Sequence, residues 1–154
     1  MTFDENGPKS VLFVCTMNSV RSPMAEVLMK AALQRSGVSD VFVDSAGVET
    51  RDIDGFAIAV MAELDLDLER HGAKDLFEAE FDSYDLIITL STRAHGAIEQ
   101  QMKTSSFATE HWPVPDPSDQ DGKRALRLEA FRAARDDISA RIEQRFFAKW
   151  LYSH

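Results

Sequence analysis

Hydrophobic residues in this chain form short uninterrupted runs that alternate with longer amphipathic stretches. The first run, residues 11–14, reads Val-Leu-Phe-Val and ends at Cys15. A run of this kind is typical of a strand whose two faces are both buried in a parallel sheet. Similar runs, rich in β-branched and aromatic residues, cover 41–47, 84–90 and 107–114. The pattern therefore predicts four strands.

Apolar residues at helical spacing fill the stretches between these runs. Ser22 is the predicted N-cap and Pro23 the predicted first residue of a helix that Gly37 ends. Further helices are predicted over residues 56–64, 92–102 and 123–150. Strands that alternate with helices favour an α/β fold, in which helices cover both faces of a parallel sheet. Since no repeat or linker composition is present, we expect one domain over 1–154, with a flexible polar segment at 1–9.

Composition and charge narrow the possible functions. Of the 154 residues, 44% are hydrophobic and 28% charged, and the formal net charge is -9. An acidic chain is poorly suited to bind the phosphates of nucleic acids. No apolar run approaches the ~20 residues that a membrane helix requires, and the polar start of the chain lacks the features of a signal peptide. We therefore expect a cytoplasmic protein that binds neither nucleic acid nor membranes.

Cysteine and histidine usage limits the kinds of site that the chain can build. Cys15 is the only cysteine in the sequence, so it forms no internal disulfide and no cysteine-rich metal site. His95, His111 and His154 have no spacing that indicates a metal site. We expect neither a metal nor a cofactor. In the cytoplasm the lone thiol stays reduced and available for chemistry.

Charge is distributed unevenly along the chain. Lys123 to His154 carries eight basic and four acidic residues, whereas residues 1–122 carry nine basic and twenty-two acidic residues. The simplest interpretation is a solvated C-terminal helix that faces an acidic body. A helix face that docks a partner is the alternative.

The strongest candidate site lies at the end of the first strand. Ligands of open α/β sheets bind beyond the carboxyl ends of the strands, and residues 15–22 occupy that position. Arg21 follows Cys15 by six positions, and a helix is predicted directly after it. The intervening N–H groups can therefore surround phosphate or another oxyanion at the positive end of the helix dipole. The predicted phosphate-binding residues are Thr16, Met17, Asn18, Ser19, Val20, Arg21 and Ser22.

The residue types in this loop suit phosphoryl transfer. A Cys15 thiolate, favoured over the thiol by the loop amides and the guanidinium, would be the nucleophile. Arg21 can hold two phosphoryl oxygens in a bidentate fork. Ser22 could donate to the sulfur, and Asn18 could brace the loop because asparagine tolerates positive φ. The plainer alternative for Cys15 is a small buried core residue.

The leaving group of such a reaction needs a proton, so an acid is expected at the same edge of the sheet. Asp116 lies between two prolines in a stiff loop after the last predicted strand, where its side-chain direction is fixed. We predict that Asp116 is the general acid and later the base for the attacking water. A simple turn residue is the alternative role for this aspartate.

These motifs resemble those of the low-molecular-weight protein tyrosine phosphatases. The loop of that family begins with the nucleophilic cysteine, has asparagine in the middle and ends Arg-Ser-Pro, as do Cys15, Asn18 and residues 21–23. Its Ser-Ala-Gly and Asp-Pro motifs match 45–47 and 116–117. The resemblance implies a flavodoxin-like, three-layer α/β/α fold with a four-stranded parallel sheet and no metal. It further implies hydrolysis of phosphotyrosine in a phosphoprotein, or of a small phosphomonoester, through a cysteinyl-phosphate intermediate.

The resemblance also implies that His71 supports the loop through Asn18, although a solvated or core histidine is an equal alternative. The mouth of the site departs from the family. Met17 stands where glycine is frequent, and Val20 where a second cysteine is frequent. Residues 48–54 lack the tryptophan of the family, and an aromatic pair is replaced at 118–119. A phosphotyrosine ring would therefore lose its stacking partners.

Other stretches resemble the arsenate reductases of the same fold. Residues 60–64 and the Arg-Asp-x-Ile core of 131–142 are similar to that branch. Its thioredoxin-coupled members use three cysteines, and the places of the second and third fall on Ser91 and near Ile98. With one thiol, arsenate reduction would require an external thiol such as glutathione or mycothiol. A phosphate or phosphoprotein binder without turnover is the third interpretation.

Overall fold

Four parallel strands form one sheet at the centre of the molecule, in a computed structural model that describes residues 3–101 and 107–147. The strands are β1 (Ser10–Cys15), β2 (Phe42–Gly47), β3 (Leu86–Thr89) and β4 (Ala108–His111). Their spatial order is β2-β1-β3-β4, and every neighbouring pair is parallel. The predicted four-stranded parallel sheet is therefore confirmed for the described part of the chain. The two central strands are β1 and β3, and β1 ends at Cys15, the predicted nucleophile.

Helices cover both faces of the sheet, which confirms the three-layer α/β/α architecture. They are α1 (Arg21–Arg35), α2 (Gly55–Ala62), α3 (Thr92–Gln101) and α4 (Arg124–Ile142). Along β1, Val11 and Phe13 face the core formed with α1, α2 and α4, while Leu12 and Val14 face the core formed with α3. All four side chains are fully buried. This double burial is the physical reason for the uninterrupted apolar run.

The start of α1 differs from the prediction. The helix begins at Arg21, its N-cap is Val20, and no side chain caps it. Ser22 is therefore not the N-cap, because its hydroxyl bonds instead with Cys15, Asn18 and the carbonyl of Ala46. Pro23 is the third helical residue, where a missing N–H still costs no helix hydrogen bond. The predicted helix end is confirmed, since Gly37 follows it at a φ of 70°.

The two ends of the described chain lie together. The predicted C-terminal helix ends as α4 at Ile142 and continues as one π-helical turn, Glu143–Phe147. Phe3 is buried against the Phe147 ring, and the Asp4 N–H donates to the Phe146 carbonyl at 2.8 Å. These contacts fall within the stretch 1–9 for which the sequence predicts flexibility. The predicted helical positions Met102 and Trp150 lie outside the described residues, as does His154.

Arginines of α4 pair with acidic groups of the body. Arg132 and Arg135 both contact Glu63, just after α2, at 2.8 Å. Their hydrogen bonds lower the pKa of Glu63 to about 2. These pairs match the interpretation of a basic helix that faces an acidic body, whereas a partner-docking face remains a prediction. Over the residues described, no helix has the length and apolar character needed to cross a membrane.

Candidate active site

A cavity of about 260 Å³ opens at the carboxyl edge of the sheet, directly beyond β1. Cys15 ends β1 and is only 2% exposed, at the floor of this cavity. The other lining residues are Thr16, Met17, Ser19, Val20, Arg21, Arg51, Asp54, Asp116, Ser118 and Asp119. None of these residues is aromatic. The predicted loop and the predicted acid therefore share one cavity, although they are about a hundred residues apart.

The sulfur of Cys15 contacts the first turn of α1. Its Sγ atom lies 2.9 Å from the Ser22 Oγ and accepts from the Ser22 N–H at 3.4 Å. The Ser22 hydroxyl also has the Ala46 carbonyl within 3.2 Å as an alternative acceptor. Ser22 can therefore donate to a thiolate, or accept from a thiol while it donates to Ala46. This is the contact to the sulfur that the sequence predicts for Ser22.

Asn18 braces the loop from inside the protein. It is fully buried and takes the left-handed conformation, with a φ of 51°. Its amide donates to the Ser22 Oγ at 2.9 Å and to the Ser45 Oγ at 3.0 Å. Ser45 in turn donates to the buried Glu26 at 2.6 Å. This chain of hydrogen bonds ties the loop to α1 and β2, as the asparagine was predicted to do.

His71 contacts Asn18, which confirms the predicted contact. The His71 Nε2 lies 3.0 Å from the Asn18 Oδ1, which also accepts from the Lys74 N–H at 3.0 Å. Both amide hydrogens of Asn18 are donated to serines, so the atom that faces His71 is the amide oxygen. Because this oxygen can only accept, His71 must donate from a protonated Nε2. Burial lowers the pKa of His71 below 6.5, and the nearby Glu26 charge opposes this shift. Burial therefore favours the neutral form of the imidazole.

Arg21 connects the loop to the segment that carries Asp116. The Arg21 Nη1 donates to the Val114 carbonyl at 2.9 Å, and its Nη2 lies 3.6 Å from the Asp116 Oδ2. The other carboxylate oxygen, Oδ1, accepts from the N–H and the hydroxyl of Ser118 at 2.9 and 2.7 Å. Asp116 therefore caps the turn Pro117–Asp119 with one oxygen and faces Arg21 with the other. Both roles considered for this residue are compatible with that geometry.

The eight residues of the predicted loop divide into two groups. Six of them line the cavity, from Cys15 to Arg21. Asn18 and Ser22 are fully buried behind the loop, and their side chains bond within the protein. Three further residues come close that the sequence did not indicate as site residues: Gly47, Arg51 and Asp54. Gly47 belongs to the Ser-Ala-Gly motif, whereas no motif singles out the other two.

Ser91 and Ile98, at or near the places of the second and third cysteines of the thioredoxin-coupled arsenate reductases, lie in different surroundings. The Ser91 Oγ is 3.0 Å from the Thr16 Oγ1, so it touches the loop one residue after Cys15. Ile98 is fully buried in the α3 core. Within 3–101 and 107–147, no group of three His, Cys, Asp or Glu side chains is placed to hold a metal ion.

Comparison with protein families gives a match over nearly the whole chain. Residues 10–151 match the sequence profile of the family described as low molecular weight phosphotyrosine protein phosphatase. Among curated proteins, arsenate reductase 1 of Staphylococcus haemolyticus is 32% identical over 137 residues, covering 88% of this chain and 93% of that protein. Glutaredoxin arsenate reductase of Synechocystis sp. is 31% identical over 135 residues, covering 88% and 94%.

Solved structures of the same architecture include both kinds of enzyme. A mutant of YwlE from Bacillus subtilis superposes with a TM-score of 0.76 at 27% identity, covering 92% of this chain and 97% of that one. Another YwlE structure is described as an arginine phosphatase with a phosphorylated active site serine. An arsenate reductase in the phosphate binding state has a TM-score of 0.68 at 29% identity, covering 88% and 95%. The implied fold is thus confirmed by structures as well as by sequence.

Proposed function

This chain belongs to the low molecular weight phosphotyrosine protein phosphatase family, and on that premise we propose that it is a cysteine-dependent phosphatase. Its substrate is phosphotyrosine or a related phosphomonoester, carried by a phosphoprotein or a small molecule. The reaction passes through a cysteinyl-phosphate intermediate and uses no metal or cofactor. We place the protein in the cytoplasm, where the Cys15 thiol stays reduced.

In the first step, the Cys15 thiolate attacks phosphorus in line with the leaving oxygen. The S–P bond forms as the P–O bond to the leaving group breaks. Arg21 and the loop amides hold the equatorial oxygens, where negative charge is spread in the transition state. The Ser22 hydroxyl, 2.9 Å from the sulfur, stabilises the thiolate before the attack.

Asp116 supplies the proton that the leaving oxygen takes up as it departs. Its Oδ2 lies 3.6 Å from the Arg21 Nη2, and it lines the same cavity as Cys15, so a phosphoryl group held by Arg21 would have this carboxylate beside it. In the second step, the same carboxylate takes a proton from water. The water oxygen attacks phosphorus, the S–P bond breaks, and Cys15 returns as a thiolate with release of inorganic phosphate.

One observation carries this proposal. The sulfur of Cys15 lies at the floor of a cavity that also contains the Arg21 guanidinium and the Asp116 carboxylate, and Arg21 and Asp116 are 3.6 Å apart. A nucleophile, a transition-state clamp and an acid are thus within reach of one phosphoryl group.

The roles of Cys15 and Asp116 are tested with aryl phosphates of differing leaving groups. Cys15→Ser should abolish turnover, and hydrolysis that survives this change would refute the mechanism. Asp116→Asn should slow a substrate with a poor leaving group by about 10²–10⁴-fold and one with a good leaving group far less. Equal losses for both substrates would refute the acid assignment. Asp121→Asn, an exposed change in the same acidic stretch, serves as the control.

A second candidate function is arsenate reduction with an external thiol. It is favoured by the curated arsenate reductases that match 88% of the chain, and by a cavity without aromatic side chains. Cys15 would displace water from protonated arsenate to form a sulfur–arsenic bond. An external thiol would then attack the Cys15 sulfur, so that the S–As electron pair leaves with arsenic as arsenite. The mixed disulfide is reduced by a second thiol, and two thiols in total are oxidised for each As(V) reduced.

A side-by-side assay separates the two activities. Hydrolysis of an aryl phosphate without added thiol supports the phosphatase. Arsenite formation that depends on glutathione or mycothiol, with negligible hydrolysis, supports the reductase instead. Tight phosphate binding without turnover or a thiophosphate intermediate would overturn both and favour a phosphate-binding protein.

A further inference from the structure

The outer side of the phosphate loop is covered by a backbone segment that we call the collar, residues 48–54. Four collar N–H groups donate to loop carbonyls, at distances of 2.9 to 3.2 Å. The pairs are Val48 to Cys15, Glu49 to Thr16, Arg51 to Met17 and Asp54 to Ser19. The Ser19 hydroxyl adds a bond in the opposite direction, to the Asp52 carbonyl at 2.9 Å. The loop and the collar are therefore joined along most of their length.

These bonds determine where the loop amides point. In a trans peptide the C=O and the following N–H point in opposite directions, and every peptide bond in the described residues is trans. A carbonyl that points toward the collar therefore makes the next N–H point away from the collar, toward the hollow that the loop encloses. The four amides turned in this way belong to Thr16, Met17, Asn18 and Val20. Converging N–H groups of this kind form an anion-binding concavity.

Gly47 allows the collar to approach this closely. A Cβ atom on Gly47 would clash with the carbonyl oxygen of Glu49, and would lie 2.7 Å from the Asn18 nitrogen and 2.8 Å from the Met17 carbonyl carbon. All three are backbone atoms, so no side-chain rotation relieves the overlap. The end of β2 and the phosphate loop can be in contact only when residue 47 has no side chain.

We propose that the collar aims the loop amides at the bound oxyanion, and that Gly47 is the positioning residue that lets it do so. The proposal rests on the proposed function only in taking residues 15–22 as the oxyanion site. It holds for phosphate and arsenate alike, because both present the same tetrahedral oxygens. Collar hydrogen bonds involve main-chain atoms, so the collar side chains can vary while the aim of the amides is kept.

The experiment measures binding of inorganic phosphate by calorimetry in wild type, Gly47→Ala and Gly55→Ala. A Cβ on Gly55 meets no atom within 4 Å, so Gly55→Ala is the matched control. We expect Gly47→Ala to weaken phosphate binding by at least about tenfold, since charge-assisted hydrogen bonds fail when their donors are displaced. Gly55→Ala should bind within about twofold of wild type. Wild-type affinity in Gly47→Ala would overturn the proposal.

Alkylation of Cys15 by iodoacetamide gives a second readout that needs no turnover. Phosphate should slow this alkylation in the wild type, and about tenfold more phosphate should be needed for the same protection in Gly47→Ala, because misdirected amides hold the anion less tightly. Ile142→Val, in the α1–α4 packing away from the loop, controls for a general loss of stability and should be protected as well as the wild type. Wild-type protection in Gly47→Ala, or an equal loss of protection in Ile142→Val, would refute a positioning role.

Hydrogen exchange keeps the proposal testable if Gly47→Ala does not fold. In the wild type, the N–H groups of residues 48, 49, 51 and 54 should be protected without ligand and more protected with phosphate. Fast exchange of these amides in both states would overturn the proposal. If the wild type binds no phosphate, the proposed function fails first; if it binds but Gly47→Ala binds equally well, only this inference fails.

Discussion

The phosphate loop is held by side chains on its inner side and by main chain on its outer side. Inside, Asn18 makes hydrogen bonds with Ser22, Ser45 and His71, and each requires a particular side chain. Outside, the collar at 48–54 contacts the loop through main-chain N–H groups. The inner side therefore depends on residue identity, whereas the outer side depends on backbone shape and on the space at Gly47. The comparison shows that a sequence motif can indicate the side-chain contacts of this site but not its main-chain contacts.

The largest expected effect comes from removing the inner brace. Asn18→Ala removes four hydrogen bonds, deprives the His71 Nε2 and the Lys74 N–H of their shared acceptor, and puts alanine at a φ of 51°. We expect a loss of about 3 kcal/mol in the free energy of unfolding, or roughly 10 °C in Tm. Urea unfolding and thermal melts measure it, with the exposed Asn6→Ala as the control.

A smaller effect is expected from the side-chain bond that Ser19 makes to the collar on the outer side. Ser19→Ala removes the bond to the Asp52 carbonyl but leaves the four collar N–H groups in place. The expected loss is about 1 kcal/mol, measured in the same way. If Ser19→Ala lowered the free energy of unfolding as much as Asn18→Ala does, the proposed difference between the two sides would be wrong.

The free energy of unfolding should also depend on pH through His71, on the inner side of the loop. Burial lowers its pKa in the folded state, so below pH 6.5 the unfolded chain takes up a proton that the folded chain does not. Stability should therefore fall as the pH drops below 6.5. His71→Gln keeps a donor to Asn18 but cannot titrate, so its urea midpoint should fall less between pH 7.5 and 5.5. Identical pH dependence in both proteins would contradict a lowered pKa for the half-buried His71.

The smallest effect is expected at the exposed Glu63, which pairs with two arginines of α4 away from the loop. Arg132 and Arg135 lower the pKa of Glu63 to about 2, so the stabilisation is present above pH 4.5 and is lost as the pH falls toward 2. Glu63→Gln should lower Tm slightly at pH 6, and this difference should shrink at pH 3. Phosphate affinity should be unchanged. A Tm difference that stays constant with pH would show that the charge of Glu63 is not the cause.

The prediction of the sheet succeeded because both faces of β1 are buried, which leaves an uninterrupted apolar run in the sequence. The predicted start of α1 was wrong. A serine before a proline indicates an N-cap, whereas the Ser22 hydroxyl makes hydrogen bonds with the Cys15 sulfur and Asn18. Local rules for helix ends consider only neighbouring backbone donors. They cannot include a partner on another strand.

The amino-acid sequence by itself determined the strand pattern, the loop from Cys15 to Ser22 and the choice of Asp116, because each depends on residue types at short spacing or on a motif. Only the tertiary structure decided that Asp116 lies 3.6 Å from Arg21, and that the collar bonds to the outward carbonyls of the loop. Main-chain hydrogen bonds between distant segments are available to every residue except proline as donor. They therefore leave almost no trace in residue types, apart from the glycine at position 47 that makes room for them.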